Sequence, residues 1–142
     1  MYMIYIYAFL SAFTAALVAI FGKLGLKNID PTLATTVRSI IMAVFLVGVA
    51  FMFKKFDGFS LSSFTGREWI LISLAGVAGA LSWLFYFLAL RGGTASSIVA
   101  IDRLSIVFVI ILAAIFLGEA LTWKTILGSA LVVVGALFIV LK

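Results

Sequence analysis

The sequence predicts an all-α membrane protein, a bundle of five transmembrane helices, and three observations carry that prediction. Of its 142 residues, 66% are hydrophobic and 11% charged, with a mean hydropathy of +1.38. A soluble globule of that composition would lack the polar side chains to cover its surface. Apolar runs long enough to cross a hydrocarbon core of about 30 Å, which takes about 20 helical residues, recur along the whole chain. The gaps between them hold nearly every Lys, Arg, Asp and Glu.

The first run, Ile4 to Gly22, opens on MYMIYIYAFL, which lacks the basic n-region of a cleaved signal and is followed by further spans, so it reads as a retained helix. Tyr2, Tyr5 and Tyr7 suit the membrane interface. Ser11, Ala15 and Ala19, and beside them Ala8, Ala12 and Ala16, form small-residue faces on which helices approach closely. The second run, Leu33 to Phe53, is opened by Asp30 and Pro31, an N-cap followed by a proline at the first helical position. The connector Lys54 to Glu68, with Gly58, Ser60, Ser62, Ser63 and Gly66, is too short for a soluble domain and carries no motif.

Trp69 to Leu90 is the third span, ended by Arg91, Gly92 and Gly93, with Gly76 and Ala80 as a packing face. Ser96 or Ser97 is expected to cap the fourth, Ile98 to Leu117. Glu119 lies just ahead of the fifth, Thr125 to Leu141, where a carboxylate favours the positive end of the helix dipole. Gly128 and Gly135, two turns apart on that last span, make a seam that serves this chain or a second one equally well. Trp69 and Trp123 read as interface anchors.

Composition also excludes functions. There is no cysteine and no histidine, so disulfides, thiolate metal sites and imidazole chemistry are absent. The carboxylates are scattered, no nucleophile-base pair is available, and no Gly-rich lysine loop offers nucleotide coupling. The expectation is a non-enzyme with no cofactor and no metal. The net charge of +5 comes from Lys and Arg placed singly at the ends of apolar runs, where they anchor helices in headgroups, so no nucleic-acid partner is expected.

Orientation follows Lys and Arg in short loops. On the N-terminal side of the membrane lie Lys54, Lys55, Arg67 and Lys124; on the other lie Lys23, Lys27, Arg91 and Lys142. The sides balance unless the embedded Arg38 and Arg103 are counted. A chain with so little bias is expected either to insert both ways or to be oriented by a feature outside this count.

Three stretches resemble one family. FGKLGLKNIDPTLATTVRSIIM is similar to the lysine, proline and arginine pattern of the EamA-like domain of the drug/metabolite transporter superfamily. WLFYFLALRGGTASSIVAI resembles its third-to-fourth helix junction, and LGEALTWKTILGSALVVVGALFIV its closing hairpin with the Gly-Glu and Leu-Thr signature. The resemblance runs essentially end to end. It implies a half-transporter of the single-repeat branch, in a prokaryotic plasma membrane, since family members commonly carry two oppositely inserted five-helix repeats around a central cavity. A second copy lying upside down would complete this one, and the balanced charge count is what such a homodimer requires. Many two-repeat members have a proline in the fourth helix near the position of IDRLS here; without it, no kink is expected.

The site candidates are the charges inside the spans and one aromatic strip. Arg38 is the sixth residue of its run and Asp102 the fifth of its own, so both lie about 6 to 8 Å inside and can pair across helices. Asp102 and the adjacent Arg103 point about 100° apart and cannot. In one reading the Arg38–Asp102 pair is a structural tie and Arg103 snorkels to the interface. In the other, Asp102, the sole carboxylate within a span, carries protons, and Arg103 meets an anionic group of the solute. Trp83, Tyr86 and Ser82 form an amphipathic strip on the third span, read either as a cavity wall or as ordinary packing.

The function expected is therefore a secondary transporter subunit for a small organic molecule, working by alternating access and driven by protons if Asp102 titrates. The alternative is a non-transporting accessory subunit that binds a partner membrane protein through the Gly128–Gly135 seam.

Overall fold

In the computed structural model, residues 2–60 and 63–141 are described; Ser62 of the connector and Lys142 of the charge count lie outside them. The elements are α1 (Tyr2–Gly25), α2 (Pro31–Met52), α3 (Gly66–Gly92), α4 (Ala95–Asp102), α5 (Ser105–Phe116) and α6 (Trp123–Val140). Taking α4 and α5 together as Ala95–Phe116, five helical segments are long and apolar enough to cross a membrane. No strand occurs among the described residues. Helices are what a lipid solvent demands, because each backbone polar group must be satisfied within its own segment.

The helix starts are chemically explicit. Asp30 accepts hydrogen bonds from the backbone N–H of Thr32 (2.9 Å) and Leu33 (3.1 Å), with Pro31 as the first helical residue, as expected. For α3 the start lies three residues earlier than the apolar run suggested. Thr65 and Glu68 form a capping box: Glu68 Oε2 accepts from the Thr65 N–H (2.7 Å) and hydroxyl (2.8 Å), satisfying donors that lipid and headgroups would leave bare. The cap of α4 is Thr94, not Ser96 or Ser97, and its hydroxyl oxygen accepts from the Ser97 N–H at 3.3 Å. Thr122 caps α6 in the same way, accepting from the Thr125 N–H at 3.2 Å. Threonine wins in each case because its oxygen stands three residues ahead of an orphan N–H. Glu119 lies ahead of that cap and outside the first turn of α6; its backbone N–H instead donates to Ala113 O (3.3 Å), closing α5, with Gly118 at φ +68 making the turn.

The chain forms two compact units. One combines Met1–Lys23 with Gly92–Lys142; the other is Leu24–Arg91. In the first, α4 and α5 pack on α6, with Ala100, Ala113 and Ala136 buried, small side chains that let helix backbones approach. Lys23 at the end of α1 donates its Nζ to Gly93 O at 2.7 Å. On α1 the face of Ala15 and Ala19 is turned inward, while Ala12 and Ala16 are exposed. Gly128 and Gly135 are exposed too, and a Cβ at either would meet nothing within 4 Å.

In the second unit α2 and α3 are joined by a connector whose aromatic rings run in series. Phe51 to Phe56 is 4.8 Å between centroids, Phe56 to Phe59 6.0 Å, Phe59 to Phe64 5.9 Å and Phe64 to Trp69 5.3 Å. Large apolar side chains such as Phe45 (69% exposed) and Phe138 (79%) face outward. In water such a surface would aggregate; in hydrocarbon it is the ordinary exterior.

The fourth span is interrupted although it has no proline. Leu104 N–H donates to Ile101 O, Ile106 N–H to Arg103 O and Val107 N–H to Leu104 O, each one residue shorter than the α-helical bond. Arg103 and Leu104 have ψ of −13 and −16, nearer the 3₁₀ than the α value. The expectation of an unbroken helix at this point is corrected.

Candidate functional site

The candidate site is assembled on two helices of the Leu24–Arg91 unit. Counting from Pro31, Arg38 lies seven residues along α2, about 10 Å past its start. On α3, Trp83 and Phe87 are separated by four residues and Trp83 and Tyr86 by three, so all three rings share one face. Helix periodicity therefore delivers an aromatic cluster. Trp83 meets Tyr86 edge-on at 5.5 Å and 80°, Phe87 lies 6.0 Å from Trp83, and Tyr86 and Phe87 are 5.9 Å apart at 85°. Phe87 is buried and Trp83 and Tyr86 are half-buried.

Arg38 reaches this cluster. Its guanidinium carbon lies 3.7 Å from the centroid of the Trp83 ring and 5.5 Å from that of Phe87. A desolvated cation over an indole face is stabilised by about 2 kcal/mol, against about 2.5 to 3.5 kcal/mol for a bare arginine at the centre of a spanning helix. The aromatic face thus offsets much of the insertion cost, but a ring supplies no hydrogen-bond acceptor in the guanidinium plane. Nη1 is buried and has no hydrogen-bond partner among the described residues.

A second feature of the unit is an open groove of about 540 Å³ between α2 and α3. Thr32, Thr35, Thr36 and Ser39 supply hydroxyls along its α2 side, and Val77, Leu81 and Leu84 apolar surface along α3. Thr35 donates to Pro31 O (2.7 Å), Thr36 to Thr32 O (2.9 Å) and Ser39 to Thr35 O (2.8 Å). The hydroxyl protons of Thr35, Thr36 and Ser39 are thereby used within the helix, leaving their oxygens as acceptors. Sequence reasoning passed over these four residues; their signal was three- and four-residue spacing of hydroxyls inside an apolar run.

Of the residues singled out beforehand, Arg38, Trp83 and Tyr86 come together, while Ser82 is exposed and outside the ring cluster. Arg38 belongs to one unit and Asp102 to the other, so the tie expected between them is a feature of neither unit. The guanidinium has an aromatic partner in its own unit. Asp102 and Arg103 are both exposed and stand at the end of α4, where the helical bonding changes. Asp102 lies seven residues past Ala95, about 10 Å into its span, deeper than the run boundaries implied.

Residues 2–141 match the EamA-like transporter family. A Sinorhizobium protein named "Uncharacterized transporter in cobO 3'region" is 37% identical over 133 residues, 94% of this chain and 93% of its own. A Streptantibioticus cattleyicolor protein named "Probable terminal-alkyne amino-acid exporter" is 38% identical over 74 residues, 49% of this chain but 24% of its own. No solved structure matches.

Proposed function

Because the chain belongs to the EamA-like transporter family and is a multi-pass membrane transporter, we propose that it is one half of a secondary carrier for a small organic solute. Two copies threaded through the membrane in opposite senses enclose the solute path and rock between inward-open and outward-open states. The solute passes without chemical change, and the membrane is the plasma membrane of a prokaryote, the setting that bacterial relatives support. The observation that carries this reading is the end-to-end family match on a chain with five spanning segments.

Two further features support the paired arrangement. Loop charges are balanced across the membrane, which removes the electrostatic preference for one orientation. The Gly128–Gly135 seam is exposed, and a Cβ at either glycine would meet nothing within 4 Å among the described residues, which leaves room for a second helix. The amino-acid substrate in the Streptantibioticus protein's name supports a small solute with a polar head, though that match reaches only half of this chain.

The test combines flux with topology. With no native cysteine, Lys142→Cys is a single reporter, and labelling with a membrane-impermeant maleimide is expected from both faces in intact and inverted vesicles. In proteoliposomes the same preparation is expected to exchange a panel of labelled amino acids and organic acids or amines. Labelling from one face alone overturns the inverted pair, and absence of any flux from a folded, monodisperse preparation overturns the carrier. Cross-linking at Gly128 that captures a different membrane protein, and never a second copy, favours an accessory subunit instead.

A further inference from the structure

We propose that Arg38 is the receptor for a carboxylate on the transported solute, with Trp83 as the platform that holds its guanidinium in place. The proposal rests on reading the chain as a solute carrier and adds the chemical class of what it carries.

A guanidinium has two kinds of surface. Its flat faces attract the negative face of an aromatic ring, and its rim carries five N–H donors in one plane. In this structure the guanidinium carbon lies over the Trp83 ring, 3.7 Å from its centroid, and 5.5 Å from that of Phe87. The rim is not fully served: Nη1 is sealed from solvent and donates to nothing among the described residues. A ring satisfies charge, but it does not supply the in-plane acceptor that a buried N–H requires. The group that fits is planar, anionic and presents two oxygens, which describes a carboxylate approached by the arginine fork.

The surroundings favour a small anion over a structural partner. Trp83, Tyr86 and Phe87 are mutually packed edge-on or tilted, and none of the three is a carboxylate. An anion seated on Nη1 adds its charge to a guanidinium whose carbon lies 3.7 Å from the Trp83 ring centroid. The indole environment therefore changes when the site fills, which makes Trp83 an internal reporter. A lipid phosphate presents similar oxygens, so the source of the anion is decided by experiment.

The experiment uses the full chain carrying Trp69→Phe and Trp123→Phe, leaving Trp83 as the only indole, reconstituted in zwitterionic lipid. Its emission is titrated with N-acetyl-leucine, N-acetyl-leucinamide and leucinamide, one skeleton bearing an anionic, a neutral and a cationic form. The expected result is a saturable change with N-acetyl-leucine alone, weakened at least tenfold by Arg38→Lys and abolished by Arg38→Gln. Equal responses to all three, no response to any, or an anion response that survives Arg38→Gln overturns the proposal. So does an Arg38-dependent change on adding phosphatidylglycerol with none on adding N-acetyl-leucine, which assigns the site to lipid. If Arg38→Gln fails to fold, discrimination among the three compounds by the parent and by Arg38→Lys still decides. Flux of leucinamide without carboxylate binding overturns this inference and leaves the carrier standing; carboxylate binding without flux of any solute overturns the carrier, and with it the reading of that carboxylate as part of a transported solute.

Discussion

Arg38 shows how lipid changes what a side chain seeks. In water its charge would be solvated, and within a span an ion pair is the default remedy, so a carboxylate at matched depth was the natural expectation. Within its own unit Arg38 also has an indole, the centroid of the Trp83 ring lying 3.7 Å from its guanidinium carbon. Nothing in residue spacing distinguishes an arginine awaiting a carboxylate from one lying beside a tryptophan. Asp102 is left on the surface of its own unit, where substitution does not disturb the packing beneath it. Asp102→Asn is accordingly expected to leave expression and thermal stability within about 0.5 kcal/mol of the parent, while abolishing proton-coupled uptake measured with a pH-sensitive dye. A loss of folding instead would make the carboxylate a structural tie.

At the scale of elements, the legible features were those with a local chemical cause. Asp30 followed by Pro31 announces a helix start, and both hydrogen bonds to the Asp30 carboxylate are present. Asp30→Ala is expected to lower stability by about 1 kcal/mol, as for other N-cap losses, read as a fall in unfolding midpoint in mild detergent. Thr65 and Glu68 were equally local, but the polar stretch before Trp69 looked like loop, and the capping box was absorbed into it. The interruption at Arg103 and Leu104 was not legible: it carries neither proline nor glycine, and the shorter backbone bonds that define it leave no mark on composition. Nor could sequence say which face of α6 is spent on its own chain. Ala136 is buried against it while Gly128 and Gly135 face outward, a distinction that depends on where α4 and α5 pack.

For the whole molecule, that outward seam is the surface on which the proposed pairing would rest. Gly128→Leu and Gly135→Leu add a Cβ that has nothing within 4 Å among the described residues, and leucine exceeds glycine in helix propensity by about 0.5 to 1 kcal/mol. Each is expected to keep or raise the stability of the monomer while shifting cross-linked dimer to monomer and lowering flux at least tenfold; dimers undiminished in both variants would place the contact elsewhere. The ring series from Phe51 to Trp69 has a consequence at the same scale. Tilted and edge-to-face aromatics ending at Trp69, with Lys54, Lys55 and Arg67 beside them, combine a ring and cations suited to the boundary between acyl chains and headgroups, so the connector would act as a float for its unit. In an oppositely threaded pair there is one float per leaflet, and the two copies are moored to opposite surfaces of the same membrane.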